Sequence, residues 1–216
     1  MAKEYIDFDI KDELLQDRVV FLIGEITDEL VGDVKAKLLY LNGQNHKEIS
    51  LYIDSPGGDA YSAFGLVDLM HYIESPITTI CIGQADSAAA VILSSGDKRC
   101  SFPHTEIMIH EVGQEQMGGK TTELKNQVSA INKANDMMSG ILAQATGKNM
   151  IQVRSDIKNK DFYMTPKEAI DYGLLDEILS YDKIIRNKKR KLHPVRQEPI
   201  KSNKNKRSNK KKGKKK

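Results

Sequence analysis

The feature that most limits what this chain can become is an alternation along its length. Short apolar or β-branched runs take turns with longer segments whose apolar residues recur every three or four positions. RVVFL at 18–22 reads as a strand. Thr27 then opens a helix in which Leu30, Val34, Leu38 and Leu41 share one face. In ISLYID, Ile49, Leu51 and Ile53 alternate with more polar residues, a strand pattern that the turn SPGG at 55–58 ends. A second helix is predicted over 60–74, with Phe64, Val67 and either Met70 or His71 on one face. ITTICIG at 77–83 reads as a buried strand, 88–95 as a small-residue helix, and SGDKR as a turn. EIMIH at 106–110 is another short strand, and 111–120, rich in Gly and Gln, reads as a loop or irregular strand.

The longest helix is predicted over 122–145 and closed by Gly147, with Leu124, Val128, Ile131, Met138 and Leu142 buried. Thr165-Pro166-Lys167-Glu168 is a helix start, with Thr at the cap, Pro first and Glu third. Gly173 stops that helix, and LLDEIL is a last short strand. Strands separated by helices need crossover connections, which argues an α/β fold.

Two segments are unusual for mere scaffolding. Gly57-Gly58 follows a strand directly, and two glycines allow a backbone to approach a ligand with its N–H groups free. An ordinary turn explains the pair equally well. In GQADSAAA, Ser87 sits where a strand gives way to a helix, beside first-turn N–H groups that have no partner within the helix. Such groups can receive an oxyanion, although taken alone Ser87 reads more readily as a plain N-cap. A hydroxyl nucleophile needs a base. Of the five His residues, His110 alone ends a strand and precedes a Gly-rich stretch, whereas His104 lies in the Pro103 turn. Asp161, before Phe162-Tyr163-Met164, is placed to orient an imidazole, with Asp156 as a rival.

The five motifs DRVVFL, SLYIDSPGG, TICIGQADSAAA, EIMIH and PKEAIDYGLLDEI, in this order between residues 14 and 180, resemble the Clp protease proteolytic subunit family. The resemblance implies a crotonase-like fold of repeated strand–strand–helix units with a protruding helix–strand handle. It implies Ser87 as nucleophile, His110 as base and Asp161 as the third member, with an oxyanion hole from the backbone N–H groups of Gly58 and Ala88. Substrate would lie against Gly57 and along Val112, Gly113 and Gln114. No metal or cofactor is implied. The implied partners are copies of the same chain in two stacked heptameric rings, an AAA+ unfoldase ATPase and protein substrates. The chain departs from the family pattern at Asp86, beside the nucleophile, and at Ala88, Ala89, Glu111 and Val112. A carboxylate at 86 would raise the pKa of a nearby imidazole, or would simply face solvent.

Composition decides the remaining questions. Residues 187–216 hold 15 Lys/Arg and one acid, a net +14, and since the whole chain carries +3 the remainder carries −11. The expected organisation is therefore a peptidase domain over 1–182 and a basic, disordered tail over 183–216. That tail could contact nucleic acid non-specifically, or serve only to solubilise or localise the chain. Cys81 and Cys100 lack ligand spacing and read as buried thiols of a reducing compartment. No apolar run approaches the roughly 20 residues of a membrane span, and the acidic N-terminus has no secretory h-region. A cytoplasmic serine endopeptidase acting on unfolded proteins is the leading expectation. The alternatives are a phage prohead-type maturation protease, a signal-peptide-peptidase-like enzyme, a crotonase-type enzyme acting on acyl-CoA, and a ring subunit with an inactive site.

Overall fold

A ten-residue strand, Ile77–Asp86 (β3), organises the molecule by pairing with different neighbours along its length. The computed structural model describes residues 10–113 and 118–180. The chain begins with α1 (Ile10–Gln16), β1 (Val19–Ile23), α2 (Asp28–Gln44), β2 (Ile49–Ser55) and α3 (Ala60–Tyr72) before β3. It continues through α4 (Ala88–Ser94), β4 (Lys98–Ser101), β5 (Glu106–Ile109), α5 (Thr121–Thr146), α6 (Met150–Ile157), β6 (Phe162–Met164), α7 (Pro166–Tyr172) and β7 (Glu177–Ile178). The sheet order is β1-β2-β3-β4-β7, all in parallel.

The first half of β3, Thr78–Cys81, pairs with β4, while its end, Gln84–Asp86, pairs with β5. β5 in turn pairs antiparallel with β6. This fork brings Ser87, His110 and Asp161 to one place. The mixed α/β architecture of a central sheet and flanking helices agrees with the crotonase-like expectation.

The helix boundaries follow their capping chemistry. The Thr27 side chain accepts from Leu30 N–H. Thr165 and Glu168 form the expected capping box with Pro166 in the first turn. Gly147 and Gly173 end their helices at φ 70° and 100°, left-handed values that favour glycine. Val31, Val34, Leu38 and Leu41 of α2 are buried, as are Phe64, Val67 and Met70 of α3, so α3 turns Met70 and not His71 inward. Arg18, at φ 61°, is buried and donates to the carbonyls of Leu41, Asn45, Lys47 and Glu48 and to Ser75 Oγ. It thereby ties the end of α2 to the entry of β2.

Four expectations are corrected. β3 runs on to Asp86 because Gln84, Ala85 and Asp86 find partners on β5. The SGDKR turn gives way after Asp97 to strand β4, which β3 and β7 flank. α6 and β6 break up a stretch for which no element was expected. In α5, Met138 and Leu142 are buried, but Leu124 and Ile131 are only half-buried and Val128 is 47% exposed. The first half of α5 packs against less of the chain than its apolar pattern demands, in keeping with a protruding handle. Residues 111–113 form no regular strand; Gln114 and the tail 183–216 lie outside the described residues.

Candidate active site

Three local structures converge on Ser87. The first is the end of β3, where pairing with β5 continues one residue beyond the strand: Ser87 N–H donates to the Met108 carbonyl at 2.8 Å. The chain then turns sharply into α4, and Ser87 takes φ 55°, ψ −119°, a strained conformation for a residue with a Cβ. Its side chain makes no capping hydrogen bond. The N-cap explanation for this serine therefore fails, and its Oγ is engaged elsewhere.

The second is the antiparallel β5–β6 pair. Ile109 faces Phe162 in register, so the next residues outward, His110 and Asp161, meet across the end of the pair. His110 Nε2 lies 2.7 Å from Ser87 Oγ, and His110 Nδ1 lies 3.2 Å from Asp161 Oδ1. The strand end is braced by Glu111, whose carboxylate accepts from Asn159 N–H at 2.9 Å in the loop that leads to Asp161. Asp156, the rival, is turned elsewhere: it accepts from Gln152 Nε2 at 2.7 Å and from the Tyr172 hydroxyl at 2.9 Å. The Tyr172 hydroxyl is pushed well above its ordinary value by burial, with the Asp156 hydrogen bond adding to it.

The third is the glycine turn after β2. Ile26 N–H donates to the Gly57 carbonyl, and Asp59 N–H to the Ile26 carbonyl. That bridge leaves Gly58's own N–H directed away from Ile26. Gly57, at φ 94°, packs so tightly against the Ser87 turn that an added Cβ would stand 2.7 Å from the Asp86 carbonyl oxygen and 2.8 Å from Ser87 Cβ. Ala88, first residue of α4, has an N–H with no intrahelical acceptor. Gly58, Ser87, Ala88 and His110 all line one cleft of about 470 Å³.

Val112 and Gly113 line the same cleft. Val112 is held by Asn135 of α5, whose amide accepts from Val112 N–H at 2.7 Å and donates to its carbonyl at 3.0 Å. The sequence pattern could not show Asn135 in that role, because a polar residue on a helix reads as solvated surface. The apolar lining from Phe64, Val91, Met108 and Met138 was equally hidden, since those residues read as core.

Asp86 is buried, 8% exposed, with Oδ1 lacking a hydrogen-bond partner. Burial, then the nearby Glu106 carboxylate, push its carboxyl up to about 6, with His110 pulling the other way. Of the two sequence alternatives for this residue, facing solvent is excluded. Both cysteines are buried and unpaired, and burial pushes the Cys81 thiol up to about 11. Among the described residues no three His, Cys, Asp or Glu side chains are grouped to hold a metal ion. Among them, too, no helix is long and apolar enough to cross a membrane.

Hydroxyl, imidazole and carboxylate in series, with backbone N–H groups beside the hydroxyl, form an arrangement suited to acyl transfer. The Clp protease family model matches residues 2–182, most of the chain. On that match, joined to a mixed α/β sheet architecture, the chain belongs to the Clp protease family.

Proposed function

We propose that this protein is a serine endopeptidase in which Ser87 is the nucleophile, His110 the general base and Asp161 the group that holds the imidazole tautomer. The observation that carries the reading is the unbroken series from Ser87 Oγ to His110 Nε2 at 2.7 Å and from His110 Nδ1 to Asp161 at 3.2 Å. Ser87 Oγ bonds to the scissile carbonyl carbon while its proton passes to His110 Nε2. The carbonyl oxygen becomes an oxyanion facing the N–H groups of Gly58 and Ala88, each worth roughly a hundredfold or more in rate. The C–N bond then breaks and the amine leaves with the proton from His110. Water, deprotonated by the same imidazole, releases the acyl group and restores Ser87.

The cleft runs from Gly58, next to Gly57, to Val112 and Gly113, and an extended peptide lying there would meet this segment on one side and Phe64 and Met138 on the other. Gln114 follows in sequence and is proposed as a further substrate-binding residue. Asp161 is about half exposed, so its bond to His110 contributes orientation more than stability. Crotonase-type thioester chemistry would use the two N–H groups but leave the hydroxyl–imidazole pair idle.

Membership of the Clp family supports a wider reading. Copies of this chain would stack as two heptameric rings that enclose the clefts, and an AAA+ unfoldase would thread unfolded protein into them, in the cytoplasm. A prohead-type maturation protease would share the chemistry and differ in partner. An inactive ring subunit would not need the hydroxyl and imidazole in bonding reach. The test is peptide hydrolysis: Ser87→Ala abolishes cleavage of an unstructured peptide while the protein stays folded. Cleavage at an undiminished rate would remove Ser87 from the role.

A further inference from the structure

We propose that Asn135 is a positioning residue for peptide substrate: by bonding both backbone groups of Val112, it fixes the segment 112–113 as one wall of the cleft beside Ser87. The inference rests on the peptidase reading above and deepens it.

The hydrogen bonds define the role. Val112 N–H donates to Asn135 Oδ1 at 2.7 Å, and Asn135 Nδ2 donates to the Val112 carbonyl at 3.0 Å. The side-chain amide thus meets Val112 as the backbone of a neighbouring strand would, taking one bond and giving one. An amide is what such a place requires. It carries an acceptor and a donor side by side, whereas a carboxylate offers no donor and an ammonium no acceptor. With its groups committed to α5, Val112 is not the residue to which a substrate backbone bonds. It is the fixed point that holds Gly113 in the cleft lining with Ser87 and His110.

The segment needs such a tie. β5 ends at Ile109, where its last pair with β6 is made. Among the described residues, neither Val112 nor Gly113 has a backbone hydrogen-bond partner in the main chain. A strand end without ladder partners frays. Asn135 is itself held in one arrangement, because its Nδ2 also donates to the Ile131 carbonyl one turn back in α5, at 3.2 Å. Both amide hydrogens and the amide oxygen are therefore engaged. Three residues further along the helix, Met138 is buried and forms part of the apolar lining of the cleft. One stretch of α5 supplies both that lining and the clamp on its edge.

His110 is placed by other means. The β5–β6 pair delivers it, and Glu111 is tied to Asn159 N–H. Loss of the Asn135 amide is accordingly felt where a peptide lies, and much less in the Ser87–His110 pair.

The experiment compares two rates on the full chain and on Asn135→Leu and Asn135→Ala. One is kcat/KM for an unstructured peptide, which has to lie along the cleft. The other is the second-order labelling of Ser87 by a small neutral fluorophosphonate, which needs only the hydroxyl, the imidazole and the oxyanion donors. Both rates scale with the folded fraction of a sample, so their ratio does not depend on it. The peptide-to-probe ratio is expected to fall roughly tenfold or more in both variants, with KM raised, because the substrate then has to order a loose segment on binding. A purely structural role lowers both rates alike. A ratio within about twofold of the parent in either variant overturns the proposal. Absence of any Ser87-dependent labelling in the parent chain would instead overturn the peptidase reading itself.

Discussion

At the scale of single residues, the site is a set of close fits that leave little latitude. Gly57→Ala would force a Cβ against the Asp86 carbonyl and Ser87 Cβ, at a φ of 94° that already disfavours a side chain. The nucleophile turn would have to move, and displacement of a reacting group by about 1 Å costs on the order of a hundredfold in rate. Steady-state peptide hydrolysis checks this; activity within a factor of two of the parent would contradict the packing argument. Asp86 leaves a signature in stability. Its carboxyl is raised in the folded protein, so its favourable contribution is present at low pH and lost as pH rises through about 6. Allowing for solvent screening, Asp86→Asn is expected to gain about 1–2 kcal/mol over the parent above pH ~7, and less near pH ~4. Denaturant titration at both pH values tests the sign. Ser87, His110 and Asp161 could be singled out in the sequence because each stands at a strand or helix boundary. The burial of Asp86 could not be read there, since it depends on the pairing of the end of β3 with β5, and the sequence pattern did not extend β3 that far.

At the scale of elements, what could be read was what carries its own punctuation. Thr27, Gly147, the Thr165–Glu168 box and Gly173 mark helix ends by local chemistry, and the structure places the ends there. β4 and β6 escaped because they are four and three residues long and draw their stability from neighbours. Lys98 and Arg99 in particular read as turn residues, yet Arg99 pairs bidentately with Asp176 and donates to the Ala145 and Gly173 carbonyls. That hydrogen-bonded pairing holds the Asp176 carboxyl below its usual range, so its contribution, opposite in sign to that of Asp86, is lost as pH falls. Arg18 fastens α2, β1 and β2 through five acceptors, four of them backbone carbonyls. Arg18→Ala would leave those acceptors poorly satisfied and is expected to destabilise the fold by ~3 kcal/mol. Chemical denaturation reads that loss, and a change under about 0.5 kcal/mol would refute the clamp.

At the scale of the whole molecule, the charge division between body and tail was legible as composition, whereas the exposure of the first turns of α5 runs against the buried face that its apolar spacing predicts. Val128 at 47% exposed lies on an apolar stripe that the described residues do not cover. If the Clp-type assembly holds, native mass spectrometry gives a large multiple of the 24.3 kDa chain, and a stable monomer would contradict it. Deleting residues 187–216 removes a net +14 from an acidic body, and peptidase activity is expected to survive. The peptidase expectations depend on the hydroxyl–imidazole pair at the junction of β3, α4 and β5. The direct measurement is intact-mass and peptide mapping after treatment with a fluorophosphonate, on the parent chain and on His110→Ala. The account predicts one adduct per chain, located on Ser87, formed at least a thousandfold more slowly without His110. An adduct on another residue, or one on Ser87 that forms equally fast in both proteins, would contradict it.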